Sequence, residues 1–523
     1  MATLLPRRIN ITEEILKISR SSGMRVAIQS EPASLNCKTL AEQVEIFASV
    51  LKDQFHVKKG DTILIRAMNL PEIAVSVLSC MMIGAIPCMT SRLYMRNELR
   101  YALENSRAEI GITPAEISLP LIKAREETGR PARLIAIGDR VEGAENLSEL
   151  LKQSSSGEPM NEPTEGEDPA FVMYTSGSTG SPKGVVHAHR WLLGSAKIVG
   201  TEMLQLTPDD VVYCPQEISF LHGFAWGFIA PLYFGSSIVL LPARSGASPE
   251  SFFEILEKYR VTVFVSVTTM FRNLLRLKDA EKKYDLSSLR MCVTSGDSLY
   301  PKEFEEWRDR FKIDLVESMA QTEIGIYTGY PAKTKIKPGS CGVPLAGHNV
   351  KILDDNSKEA SRGSIGHLVI SETDPGLFKE YLRMPDVTKG SRKDGWYYTK
   401  DMGFFDEEGY LWYAGRSDDM FKSRGYLISP QEIEKVIMEH PAVQEACVIG
   451  APDEIMGNRV RAFICLKPGN KKNRSEFEAE LRNFLLPKIA TYKVPKEVEI
   501  IEELPKTITG KIKRSELRTS SNS

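Results

Sequence analysis

The sequence predicts an α/β protein: a large N-terminal domain of parallel α/β sheets with an antiparallel β subdomain, then a small α+β C-terminal domain. Three observations carry this. Up to about residue 415, short apolar runs alternate with helical periods. From 342 to 413 the helical periods give way to short runs separated by turns. After the charged stretch 415–419 a separate α+β pattern begins. The boundary therefore falls near residue 418, dividing the chain into 1–417 and 418–523, and about 105 residues suffice for an independent second unit.

The elements follow in order. Runs at 62–67, 110–113, 134–137, 171–175, 237–241, 261–267 and 290–294 have the length and residue types of buried strands. Between 239 and 294 the order is strand, amphipathic 251–259, strand, amphipathic 270–277, strand, the signature of a parallel sheet. The apolar stretch 73–89 contains Ser76, Ser79, Gly84 and Pro87 and is barely long enough to span a bilayer. It reads as a buried helix running into a short strand. Turns at Asp354-Asp355-Asn356, Ser361-Arg362-Gly363, Lys393-Asp394-Gly395 and Glu407-Glu408-Gly409 punctuate the antiparallel region. Beyond the boundary the pattern predicts a helix at 430–439, strands at 443–449 and 461–466, a helix at 475–486 and a strand at 498–501.

Composition excludes several function classes. With 67 Lys and Arg against 69 Asp and Glu the net charge is −2, which provides no electrostatic case for nucleic acid or a membrane surface. A 42% hydrophobic share argues against disorder. No 20–50-residue repeat recurs. The eight cysteines (37, 80, 88, 214, 292, 341, 447 and 465) show no zinc or CxxC spacing and suit buried thiols of a cytoplasmic chain. Arg7 and Arg8 are not followed by an apolar core, and 519–523 carries no peroxisomal or lipidation signal. What remains is an enzyme or binding protein for small molecules.

The strand 171–175 opens into Ser176-Gly-Ser-Thr-Gly-Ser-Pro-Lys183-Gly184, and 185–189 reads as a returning strand. Glycines let backbone N–H groups turn toward an anion, the hydroxyls add donors, and Lys183 adds a charge. The spacing is not Walker A, because Gly184 follows the lysine. A string this rich in donors between two apolar strands points to a bound phosphate, with a plain Gly/Ser surface loop as the alternative.

Tyr174-Thr-Ser-Gly-Ser-Thr-Gly-Ser-Pro-Lys-Gly-Val185 closely resembles the AMP-binding signature of the adenylate-forming superfamily, in its acyl-CoA synthetase branch. The resemblance runs from about residue 35 to 518 and implies that Thr175, Ser176, Gly177, Ser178, Thr179, Gly180 and Lys183 cradle phosphates. It extends to Glu317-Ser-Met-Ala-Gln-Thr-Glu323, implying that Glu317, Ser318, Met319 and Ala320 border the adenine. Thr322 would meet the α-phosphate and Glu323 would hold Mg²⁺, although an isolated Thr-Glu pair also suits a helix start. Met319 stands where the family has an aromatic. Ser295, Gly296 and Asp297 resemble the family's second adenine turn, with Asp297 and Ser298 replacing Glu and Pro.

Gly395-Trp-Tyr-Tyr-Thr-Lys-Asp401 resembles the ribose motif, with Asp401 on the hydroxyls and Lys400 in place of a glycine. Gly415-Arg416-Ser-Asp418-Asp419 resembles the block in which Arg416 supports the ribose and Asp418 is the hinge of a mobile small domain. Ser423, Arg424 and Gly425 match the thiol-tunnel hairpin, and Lys511 the catalytic lysine of the C-terminal signature. His222, Phe224 and Trp226 match the acyl-pocket segment, with Ala320 where acetate-specific members carry an indole. The resemblance implies an AMP-forming acid–CoA ligase using ATP, Mg²⁺ and CoA on a medium-chain or aromatic acid, with Lys511, Lys183, Thr322 and His222 catalytic. Two alternatives stay open: a ligase that loads a carrier protein, and a nucleotide-binding regulator with degraded chemistry.

Overall fold

Strands that are apolar on both faces need helices on both sides, and the fold supplies them. The computed structural model describes residues 8–153, 162–175, 182–242, 248–423, 426–453, 456–470, 473–506 and 512–519. One sheet has eight strands in the order Glu380–Tyr381, Lys183–Ala188, Pro169–Thr175, Ile86–Ser91, Thr62–Ala67, Ile110–Pro114, Arg133–Ile137, Glu145–Asn146. The second has seven, in the order Leu315–Glu317, Met291–Ser295, Val263–Val267, Val211–Tyr213, Ser237–Val239, Val26–Gln29, Leu35–Asn36. One core cluster joins both sheets, running from Ile63 and Ile65 through helix residues Val44, Val77 and Trp191 to Val212 and Val263.

The expected parallel order is present between 237 and 295, with helices Pro249–Lys258 and Thr268–Leu275. The first starts earlier than its periodicity suggests because Pro249, with its pre-set φ, occupies the first turn. Val211–Tyr213, too short to register as a run, slots between Ser237–Val239 and Val263–Val267. The stretch 73–89 lies in the helix Pro71–Met82, buried at every position but Glu72, and the strand Ile86–Ser91. Among the described residues no helix is long and apolar enough to cross a membrane. All eight cysteines are buried.

The region 342–413 forms an antiparallel sheet of Val350–Leu353, Gly366–Ser371, Trp396–Phe405 and Arg392–Lys393, with Leu411–Arg416 also paired to Trp396–Phe405. Two strands depart from it, and the first, Val343–Pro344, pairs with Gly325–Gly329. The second, Glu380–Tyr381, pairs instead with Lys183–Ala188, Tyr381 opposite Val185. That exchange brings the antiparallel region against the hairpin of Pro169–Thr175 and Lys183–Ala188.

After residue 420 the chain builds a three-stranded sheet, Val443–Asp453, Gly457–Leu466 and Glu497–Ile500, covered by helices Pro430–Ile437 and Arg474–Leu485. Its core of Ile433, Ile437, Val448, Ala462, Phe477 and Leu481 is separate from the large cluster. Side chains link it to the preceding sheets. Ser429 Oγ donates to the Ala414 carbonyl, and Lys435 Nζ to the Gly339 carbonyl at 3.2 Å.

Candidate active site

The strands Pro169–Thr175 and Lys183–Ala188 form an antiparallel hairpin with Thr175 directly opposite Lys183. Ser176, Gly177, Ser178, Thr179 and Gly180, expected to cradle phosphates between them, lie outside the described residues. Lys183 Nζ sits 5.0 Å above the centroid of the Tyr381 ring. Among the described residues it has no carboxylate partner within ion-pair distance.

Thr322 and Glu323 lie in the tight turn joining strands Met319–Gln321 and Gly325–Gly329. The alternative of a helix start does not occur: Gly325, at φ +87°, closes a β-hairpin, so Thr322 caps no helix. Three consecutive turn carbonyls are each held by a donor. The Thr322 carbonyl lies 2.7 Å from His187 Nε2, the Glu323 carbonyl accepts from Phe378 N–H at 2.7 Å, and the Ile324 carbonyl accepts from Trp191 Nε1–H at 2.8 Å. Burial pushes the His187 imidazole down to about 3, so the ring is neutral and its proton is placed on Nε2 by the carbonyl it faces. Gly325 has no room for a side chain, since a Cβ would lie 2.8 Å from Trp191 Cζ2.

The Glu323 carboxylate accepts from the Tyr381 hydroxyl at 2.8 Å. Burial pushes its carboxyl up, against the pull of that hydrogen bond and of the Arg416 and Lys183 charges. A partly desolvated carboxylate fits Mg²⁺, which typically takes one or two carboxylates plus phosphate oxygens and water. Among the described residues no group of three or more His, Cys, Asp or Glu forms a closed metal cage.

Asp401 is buried in strand Trp396–Phe405, directly opposite Arg416. Its Oδ1 accepts from Arg416 Nη1 at 3.0 Å and Tyr413 Oη at 3.3 Å, and its Oδ2 from Gln321 Nε2. Gln321 also reaches the Thr399 carbonyl at 3.0 Å, tying the Thr322-Glu323 turn to the Asp401 strand. Lys400 has φ +63°, a left-handed conformation that costs a non-glycine residue about 1–2 kcal/mol. This explains on backbone grounds why glycine suits the position.

Ser295, Gly296 and Asp297 leave the carboxyl end of Met291–Ser295, and Ser318 leaves that of the neighbouring Leu315–Glu317, where open α/β sheets bind ligands. Asp297 Oδ2 accepts from Arg272 Nη1 at 2.7 Å. Burial pushes the Glu317 carboxyl up to about 8, despite the Leu299 N–H at 3.1 Å and the nearby Lys435 ammonium. Glu317 is therefore protonated in the folded chain at neutral pH. Its ordinary value is 4.5, so the unfolded chain loses the proton first and stability falls as pH rises from 4.5 to about 8. Glu317→Gln should flatten that part of the stability–pH curve. Urea midpoints at pH 5 and pH 8 check this, and equal slopes for both proteins would refute it.

Met319 and Ala320 are adjacent on one strand and face opposite ways. Met319 packs against the cluster containing Val185, Tyr327 and Tyr397, while Ala320 packs against the cluster containing Phe171, Phe224 and Trp226. His222 and Trp226 lie edge to face, 5.2 Å apart, in the π-helical turn His222–Ile229. π-Helical turns occur frequently at functional sites. Both His222 nitrogens are buried without a partner among the described residues, and burial pushes the ring down to about 4, so it is neutral. Phe224 is packed on Phe171 with centroids 4.6 Å apart.

This arrangement links Lys183, Tyr381, Glu323, Arg416, Asp401 and Gln321 at the junction of two sheets and a hairpin. A family model described as "AMP-binding enzyme" matches residues 17–382, and one described as "AMP-binding enzyme C-terminal domain" matches 432–511. The chain belongs to the AMP-binding enzyme family. It is 32% identical to the mitochondrial acyl-coenzyme A synthetase ACSM3 of Mus musculus, over 90% of this chain and 82% of that protein. It is also 32% identical to the acetyl-coenzyme A synthetase of Bacillus subtilis, over 92% of this chain and 84% of that one. The anthranilate CoA ligase AuaEII, solved with anthranoyl-AMP, superposes with a TM-score of 0.91 at 28% identity, covering 100% and 99% of the two chains.

Within this AMP-binding enzyme, the segment at the boundary is tied to the C-terminal helix Arg514–Thr519. Arg518 donates to the Asp418 carbonyl at 3.2 Å and pairs with Asp419 at 2.8 Å, and Arg514 pairs with buried Glu434 at 2.6 and 2.7 Å. Ser423 is buried in the hairpin Phe421–Ser423/Tyr426–Ile428 and lines a pocket with Val460, Arg482, Tyr492 and Lys496. Arg424, Gly425 and Lys511 lie outside the described residues. Sequence patterns gave no notice of His187, Trp191, Gln321, Tyr381, Tyr413 or Lys435. His187 lies within the noted strand, but nothing in the string 185–189 marks it as the donor to a turn 135 residues away.

Proposed function

We propose that this AMP-binding enzyme is an ATP-dependent acid–CoA ligase acting on a medium-chain or aromatic carboxylic acid. In the first half-reaction a carboxylate oxygen attacks the α-phosphorus and pyrophosphate leaves, giving acyl-AMP. In the second the CoA sulfur attacks the acyl carbon, AMP leaves with the bridging oxygen, and the thiol proton passes to solvent. The observation that carries this reading is the linked set of Lys183, Glu323, Asp401 and Arg416, a cation and carboxylate for phosphates beside a charged pair for a ribose.

The nucleophile of the first step is already an anion and needs no general base. The barrier is repulsion between two anions, and Lys183, Thr322 and Lys511 offset it as fixed charge and hydrogen-bond donors. Glu323 would hold Mg²⁺, whose charge neutralises phosphate oxygens. Asp401 and Arg416 would position the ribose, with the phosphate loop and the ends of strands Met291–Ser295 and Leu315–Glu317 around the rest of the nucleotide. Neutral His222 and Trp226 make an apolar wall for the acyl group. The small side chain of Ala320 leaves room there for an acid larger than acetate. The relatives named as an acyl- and as an acetyl-coenzyme A synthetase are equally similar at 32% identity, so the size argument rests on this residue.

One pocket serves two reactions, which calls for a rearrangement. We assign the hinge to Asp418, with residues 418–523 turning on 1–417 to exchange Lys511 for the Ser423, Arg424 and Gly425 hairpin. Arg482 and Lys496 beside Ser423 suit the phosphates of CoA, which favours free CoA over a carrier protein. Pyrophosphate release across acids from acetate to decanoate and the benzoates tests the reading. It should be acid-dependent and higher for medium-chain or aromatic acids than for acetate, with AMP release requiring free CoA. ATP binding without acid-dependent ATP–pyrophosphate exchange would point to a regulator, and AMP release only with a carrier protein would point to carrier loading.

A further inference from the structure

We propose that Tyr381 is a positioning residue that holds Lys183 and Glu323 apart and keeps both charges available for the metal–nucleotide complex. The proposal rests on the ligase reading above. Lys183 and Glu323 both contact the same side chain, Tyr381, which brings the two opposite charges into one neighbourhood. A direct ion pair between them would neutralise both before a nucleotide arrives. Tyr381 offers each a different partner: its ring face lies under Lys183 Nζ at 5.0 Å and its hydroxyl donates to Glu323 Oε1 at 2.8 Å.

The backbone makes this placement specific. Tyr381 is strand-paired with Val185, two residues beyond Lys183, and its N–H donates to Thr388 Oγ1 at 2.9 Å. The same segment holds the Glu323 turn a second time, through the Phe378 N–H at the Glu323 carbonyl. Phe378 packs on Tyr381 with ring centroids 4.7 Å apart, fixing the tyrosine ring from its other neighbours. A carboxylate oxygen that accepts one hydrogen bond keeps further lone pairs for a cation, so the hydroxyl orients Glu323 without occupying it.

Tyr381→Phe keeps the ring and removes only the donor. Calorimetric titration with Mg·ATP in the absence of acid should show binding weakened by about tenfold, the scale of a lost hydrogen bond to a charged group. Adenosine affinity, melting temperature and thioester formation from supplied acyl-AMP should stay within twofold or a few degrees of the parent. Glu323→Gln should weaken Mg·ATP binding too, and Glu323→Gln/Tyr381→Phe should lose less than the product of the single effects, because the hydroxyl acts through that carboxylate. Unchanged Mg·ATP binding in Tyr381→Phe, equal losses for Mg·ATP and adenosine, or multiplicative effects in the double variant would overturn the proposal. If Glu323→Gln binds Mg·ATP normally, the assignment of Glu323 to the metal fails, and the positioning role falls with it.

Discussion

Lys511→Ala is expected to abolish acyl-AMP formation while sparing thioester formation from supplied acyl-AMP. A single preorganised donor to a developing charge is worth about 10²–10³ in rate, and a full positive charge against a carboxylate–phosphate encounter belongs at the upper end. The second half-reaction makes no use of that charge, because the attacked carbonyl carries no like charge and AMP is already the leaving group. Separate assays of pyrophosphate release and of CoA consumption with synthetic acyl-AMP check the split. Equal loss in both would remove the two-arrangement scheme and the hinge at Asp418 with it.

Arg514→Ala should cost about 3–5 kcal/mol of stability, because it leaves a buried carboxylate without its cation. Glu434 is buried, accepts Arg514 at 2.6 and 2.7 Å and the Val448 N–H at 2.7 Å, and touches the core of the small sheet. The effect should concentrate after residue 420, so urea unfolding followed by protease sensitivity of that region is the suitable measurement. Burial alone already pushes the Glu434 carboxyl up. Without Arg514 its folded value rises further, so the variant's deficit should shrink as the pH falls toward the ordinary carboxylate value. Pairing Arg514→Leu with Glu434→Leu should recover most of the loss, since replacing both partners removes the unpaired charge. A loss no larger than that of a surface ion pair, about 1 kcal/mol or less, would show that water reaches Glu434.

Fold class was legible because it depends on local periodicity. Strands such as Thr62–Ala67 and Ile110–Pro114 are short, mostly apolar runs whose residues are buried on both faces. Val211–Tyr213 was not legible, since three residues make no pattern and their strand is created by the neighbours Ser237–Val239 and Val263–Val267. Among candidate site residues, Lys183 was proposed from the chemistry of its loop, and Glu323, Asp401 and Arg416 from strings that resemble the family's. Thr322 illustrates the limit: a Thr-Glu pair suits a helix cap or a hairpin turn equally, and only the strand partners on either side decide.

The sequence by itself determined the alternation of strands and helices, the division near residue 418 as an expectation, and which residue types could meet a nucleotide. Those are properties of neighbours along the chain, set by periodicity and by the chemistry of each side chain. Tertiary structure alone decided how the turn carrying Glu323 is held. Its three carbonyls take donors from His187, Trp191 and Phe378, and its carboxylate takes the hydroxyl of Tyr381. The physical reason is that a hydrogen bond depends on distances of a few ångströms between atoms far apart in sequence. The strand Glu380–Tyr381 leaves its own antiparallel region to pair with Lys183–Ala188, and no local pattern records that exchange.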